Sequence, residues 1–197
     1  LAEAGYAKDL DTLIVGEPSG VNKQLLLQKQ IQYMLQSDEA GAKALLAANQ
    51  TNEQHFIELA HKGSLTYTVH AKGVAAHSSM PEIGKNAITP LMTFYQKEEA
   101  YFDSIKDFRN PVLGAVTPVV TMIRGGEQIN TVPASADLSV KIRTIPELSN
   151  ADITASIKQI IAEINAQGAD LTLEIHSDLR PMHTMADTQL VTTAKEI

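Results

Sequence analysis

From Leu65 to Ile175 the apolar residues alternate between strand and helix spacing, an order that already excludes an all-helical or all-strand fold. Leu65, Tyr67, Val69 and Ala71 interleave with Thr66, Thr68 and His70, the period-2 mark of a half-buried strand. Asn86–Ile105 switches to helical spacing, with Ile88, Leu91, Met92, Tyr95 and Phe102 on the inner stripe and Lys97, Glu98 and Asp103 outside. Asn86 can cap this helix, and Pro90 is tolerated in its first turn, where N–H groups have no intrahelical partner. Val112–Ile123 is a β-branched run interrupted by Gly114 and Pro118; proline cannot donate to a ladder, so an edge strand or a bulge is expected. In Ala136–Thr144, Leu138, Val140 and Ile142 oppose Ser139, Lys141 and Arg143. Ser149 and Asp152 make an S-x-x-D cap for a helix striped by Ile153, Ile157, Ile160, Ile161 and Ile164 and ending near Gly168. Leu171, Leu173 and Ile175 form a last strand, stopped by Pro181.

Strand, helix, strand, strand, helix, strand is the ferredoxin-like β-α-β-β-α-β plan, an α+β two-layer sandwich. Every helix and strand here has one apolar face, so both helices are expected on one side of an antiparallel sheet. The opposite face is expected to be polar, and the edge strand must be capped or paired. Val21–Gln50 has another texture: Leu27, Ile31, Met34 and Leu35 share a helical face, Ala42, Leu45 and Leu46 a second, and the outside is rich in glutamine. It reads as a helical insertion.

Net charge is −7 with no basic cluster, which argues against nucleic acid or an anionic membrane as partner. No run of about 18 apolar residues crosses a membrane. With zero cysteines there are no disulfides and no thiolate metal sites. A cytoplasmic location is expected. The chain starts at Leu1 and stops at Ile197 inside a helical pattern, and so reads as part of a longer protein.

The residues richest in possible chemistry are Gly73–Ile88, GVAAHSSMPEIGKNAI, which place His77 in a loop tethered between strand and helix. Taken locally this is a surface loop with an incidental histidine. Four further pieces follow one order with it: GEPSG at Gly16–Gly20, AHKGS at Ala60–Ser64, INTVP at Ile129–Pro133 and KIRTIPE at Lys141–Glu147. Together they resemble the lid or dimerisation domain of the M20 metallopeptidases, in particular the succinyl-diaminopimelate desuccinylases and acetylornithine deacetylases.

The resemblance implies a division into the end of a catalytic-domain segment (1–20), the insertion (21–54), the lid (55–181) and a return toward the catalytic domain (182–197). It implies an enzyme with two zinc ions, of whose ligands only Glu17 falls in this chain, so that the chain alone is expected to bind no zinc and to be inactive. It makes His77 a donor to the oxyanion in a neighbouring subunit's site, Asn130 a substrate-binding amide, and Arg143 a two-pronged partner of a substrate carboxylate. Lys62, with Ser64 as a possible donor beside it, is the candidate for another carboxylate; the alternative is a β-bulge at Gly63 with solvated neighbours. A homodimer acting on a small N-acyl amino acid, N-succinyl-diaminopimelate first, is implied. Acetylornithine deacetylation, dipeptide hydrolysis and a non-catalytic ferredoxin-like module stay open. The remaining histidines His55, His70, His176 and His183, and the pairs Glu98-Glu99 and Asp38-Glu39, read as solvated surface.

Overall fold

A computed structural model describes residues 21–22, 40, 53–54, 59–185 and 187–194. Leu59–Thr184 forms one compact unit. Its sheet contains β1 (Ser64–Lys72), β2 (Thr117–Gly125), β3 (Ser135–Arg143) and β4 (Leu171–Leu179). The spatial order is β4-β1-β3-β2, all pairs antiparallel, as the ferredoxin-like plan requires. Helix α1 (Ile88–Ser104) packs on β1 and β3, and α2 (Asn150–Asn165) packs on β4 and on α1. Leu65, Tyr67 and Val69 of β1 meet Leu91 and Phe94 of α1 and Ile153 of α2 in the core, all at most 1% exposed.

The caps follow the sequence signals. Asn86 Oδ1 accepts from the amides of Ile88 at 2.8 Å and Thr89 at 3.4 Å. Ser149 and Asp152 form a reciprocal capping box. Gly168, at φ +95°, reverses the chain after α2 in a backbone conformation that residues with a side chain rarely adopt. Of the 21–54 segment, the structure describes Val21–Asn22 paired antiparallel with Glu53–Gln54, and Ala40. The helices expected there lie outside the described residues, as do Asp38-Glu39 and His55.

Four expectations are corrected. The buried stripe of α1 is Leu91, Phe94, Glu98 and Phe102, whereas Met92 is exposed. Glu98 is therefore not a solvated surface charge: it is 2% exposed and accepts the hydroxyl proton of Tyr67. Glu99, one position on, is exposed as expected. Gly63 does not make a bulge; it exchanges hydrogen bonds with Thr144 and prolongs the β1–β3 ladder. Bulges occur instead where β3 meets β2, at Ser139/Val140, and where β4 meets β1, at Ile175/Ser177.

His70 is likewise not a bare surface residue. Its Nδ1 lies 2.6 Å from Asp137 Oδ1 and its Nε2 2.9 Å from Glu174 Oε2, so one ring clamps three strands across the polar face. The hydrogen bond to Asp137, then that to Glu174, raises its pKa above the ordinary histidine value. His176 joins the same face through Thr68, at 2.8 Å, whereas His183 is exposed.

All nine residues of β2 are exposed. Val120 and Ile123 stand opposite Val140 and Leu138 on the helix-side face, yet α1 covers β1 and β3. A groove of about 830 Å³ remains between α1 and β2, lined in part by Tyr95, Phe102, Val116 and Pro118, and Glu98 belongs to its wall. Pro118 sits on this outer strand, where its missing donor costs nothing.

Candidate functional site

The loop carrying His77 is stitched shut at its base. Val74 and Lys85 exchange amide hydrogen bonds at 2.8 and 2.9 Å, Gly73 donates to Ala134 O at 2.8 Å, and Ala87 donates to Pro133 O at 3.0 Å. This closure demands a glycine at 73: a Cβ there would lie 2.1 Å from Lys85 O, nearer than any real contact. Within the loop, Ala76–His77 pairs with Thr131–Val132, and the Ser78 amide donates to Asn130 O at 2.8 Å. The structure thus brings His77 and Asn130 to one corner as a bonded unit. The His77 ring is exposed, with Nδ1 held by Ser79. Val74, Met80, Ile83 and Ile129 surround this corner as exposed apolar side chains.

Lys62 and Arg143 meet elsewhere. Lys62 precedes Gly63 and Arg143 precedes Thr144, the two residues that close the far end of the β1–β3 ladder. Lys62 Nζ donates to Ala115 O at 2.6 Å, so it is tethered and not freely solvated. Burial, then the nearby Arg143 guanidinium, lowers the Lys62 pKa from its ordinary value. Neither cation has a carboxylate partner among the described residues. Two cations crowded together with no carboxylate beside them among the described residues can receive an anion. Ser64 is buried, and its backbone pairs with Leu179. The hairpin that supplies Ala115 is held by Asn110, which accepts from the Val112 and Leu113 amides and donates to Glu147 Oε1 at 2.7 Å. Sequence reading assigned no role to Ala115 or Asn110, because their contacts run through backbone groups or join residues far apart in the chain, and none to Ser79, whose contact with His77 two positions away depends on the turn between them.

The two corners lie at opposite ends of β1. Eight residue steps at about 3.3 Å each separate them by roughly 25 Å. One copy of the domain cannot close both corners on one small molecule. Among the described residues no three His, Cys, Asp or Glu side chains are grouped to hold a metal, and Glu17 lies outside those residues.

The described residues thus form a ferredoxin-like sandwich with a closed histidine loop at one end, Lys62 and Arg143 at the other and an exposed outer strand. Residues 59–169 match the peptidase dimerisation domain of the M20 family, and the chain belongs to that family, whose enzymes are metal-dependent hydrolases. Along its whole length the chain is 29% identical to a Staphylococcus aureus (strain Mu50 / ATCC 700699) protein named "Probable succinyl-diaminopimelate desuccinylase", of which it spans 46%. Over 60% of its length it is 31% identical to an Ajellomyces dermatitidis protein named "Probable carboxypeptidase", spanning 28% of that protein. The fold is shared with aminopeptidase PepT from Bacillus cereus ATCC 10987, at TM-score 0.53 and 19% identity over 70% of this chain and 35% of that one. A tripeptidase from Staphylococcus aureus gives TM-score 0.53 at 16% identity over the same shares. Among the described residues no helix is long and apolar enough to cross a membrane.

Proposed function

We propose that this chain is the lid and dimerisation part of a zinc-dependent amidohydrolase that removes an N-acyl group from a small amino-acid derivative, N-succinyl-diaminopimelate being the favoured substrate. The substrate class rests on the motifs and on the names of the relatives. The observation that carries the mechanism is the separation of the two corners. His77 and Asn130 of one subunit complete a pocket whose Lys62 and Arg143 come from the other. Lys62 and Arg143 bind carboxylates of the substrate and fix its direction. The Asn130 amide orients the acyl group. His77 donates an N–H to the oxygen that gains charge as water adds to the amide. Glu17 would be among the residues holding a zinc ion, which when bound would lower the pKa of a water toward neutral. The division at 1–20, 21–54, 55–181 and 182–197 belongs to the same proposal.

Subunit complementation tests this reading in the full-length enzyme. His77→Ala and Arg143→Ala homodimers are each expected to hydrolyse substrate slowly. After subunit exchange, a mixed two-fold dimer has one pocket with both residues intact and one with neither, so about a quarter of wild-type activity returns on random pairing. No recovery on mixing would place both corners in pockets of a single chain and sink the arrangement.

The uncovered β2 edge and its groove supply the surface for the second copy. Ile123→Lys puts a charge on the helix-side face of that edge, where Ile123 is 57% exposed and no core is disturbed. Sedimentation of the full-length protein should show dimer converted to monomer with the melting temperature nearly unchanged. A persisting dimer would move the interface elsewhere.

A further inference from the structure

His77 begins a tight turn in which the Met80 amide donates to His77 O at 2.9 Å. Inside the turn, Ser79 reaches back to the imidazole twice. Its Oγ lies 2.8 Å from His77 Nδ1, and its backbone N–H donates to the same nitrogen at 3.2 Å. The amide identifies the tautomer, and the shorter hydroxyl contact is the one that holds it. A backbone N–H can only donate, so Nδ1 must present a lone pair, and in the neutral ring the proton sits on Nε2. The hydroxyl can rotate and donates its own proton to that lone pair as well. Nε2 has no protein partner among the described residues, and the ring is exposed. Sequence neighbours thus leave one ring nitrogen occupied and the other free.

We infer that Ser79 is the positioning residue of His77: it holds the ring in the Nε2–H tautomer and aims that N–H out of the loop as a one-way donor. The base of the loop is already immobilised by the Val74–Lys85 and Gly73–Ala134 hydrogen bonds, so rotation of the ring about its own side-chain bonds is the freedom left for Ser79 to remove. The role in turnover rests on the oxyanion reading of His77; the tautomer does not.

The test has two arms. In the 197-residue chain labelled with 15N at histidine, at a pH of about 9 where imidazoles are neutral, the His77 spectrum should show a bare, hydrogen-bonded Nδ1 and a protonated Nε2. Ser79→Ala keeps the backbone N–H at 3.2 Å and removes the 2.8 Å hydroxyl contact, so it should shift the Nδ1 signal part of the way toward a tautomer average, and Ser79→Thr, which keeps the hydroxyl, should restore it. In the full-length enzyme Ser79→Ala should lower kcat about five- to tenfold with KM unchanged, the size of one ordinary hydrogen bond lost from the transition state alone, and Ser79→Thr should recover it. A protonated Nδ1 in the unsubstituted chain, or an Nδ1 signal that Ser79→Ala leaves in place, overturns the inference. An intact tautomer beside a His77→Ala enzyme of unchanged kcat would instead overturn the oxyanion reading and leave Ser79 as the residue that holds the ring.

Discussion

Removing the imidazole of His77 should lower kcat of the full-length enzyme by a hundredfold or more, with little change in KM. Timing is the reason. An amide oxygen in the bound substrate carries little charge, and a donor at the loop tip gains most of its energy only as that oxygen becomes an oxyanion. A single preorganised donor of this kind is worth about a hundred- to a thousandfold in rate. The loop meets the condition of preorganisation: its base is closed by four backbone hydrogen bonds between Val74 and Lys85, Gly73 and Ala134, and Ala87 and Pro133. Steady-state kinetics of His77→Ala, with circular dichroism to show an unaltered fold, measures this directly. Because the ring is exposed and supports no core contact, its loss should leave stability intact. A normal kcat would take His77 out of the reaction.

The second large effect falls on folding and comes from Glu98. Burial, offset in part by the Tyr67 hydrogen bond, pushes this carboxyl from an ordinary 4.5 up to about 7. The Tyr67 hydroxyl is pushed up as well, chiefly by burial and then by the Glu98 charge. The folded chain therefore keeps a proton on Glu98 that the unfolded chain has already released. Stability from this group is complete below about pH 4.5 and is lost as pH rises toward 7, at about 1.4 kcal/mol per unit, or roughly 3 kcal/mol in all. His70 acts in the same direction. Its raised pKa contributes stability that is present below about 6.5, the ordinary histidine value, and disappears as pH climbs through the folded value. Thermal melts should show a midpoint lower at pH 8 than at pH 5, by on the order of 10 °C. Glu98→Gln, which can still accept from Tyr67, should remove most of the difference. A melting temperature equally pH-dependent in Glu98→Gln would assign the effect to other groups.

Glu98 also shows where sequence reading loses its grip. The α1 sequence offers two overlapping apolar stripes, one through Leu91, Phe94 and Phe102 and one through Ile88, Met92 and Tyr95. A glutamate within the first stripe gives the other the character of an inward face. Only the tertiary partner resolves it, since Tyr67 comes from β1, 31 residues away, with a hydroxyl to match the carboxyl. By contrast β1 and β3 were legible because period 2 survives in both: their alternations place Leu65, Tyr67, Leu138 and Val140 in the core as expected. Pro118 left an edge or a bulge open for β2, which is the edge, but its start at Thr117 was not legible, because Arg109–Asn110 and Gly114–Ala115 form a separate small hairpin within the same β-prone run.

The candidate site was legible in pieces and not as an arrangement. The motifs named His77, Asn130, Lys62 and Arg143 but carried no information on which of them are neighbours. That information lies in strand direction: β1 and β3 run antiparallel, so residues before β1 and after β3 share one end, and residues after β1 and before β3 share the other. The tether from Lys62 to Ala115 spans 53 positions and involves a carbonyl, to which every residue type is equal.

That antiparallel geometry makes turnover a matter of encounter. If each pocket needs corners that point away from each other in any one molecule, a lone subunit is silent however well folded. Specific activity would then fall on dilution with the population of paired molecules, and catalysis would start only above a threshold abundance of the protein itself.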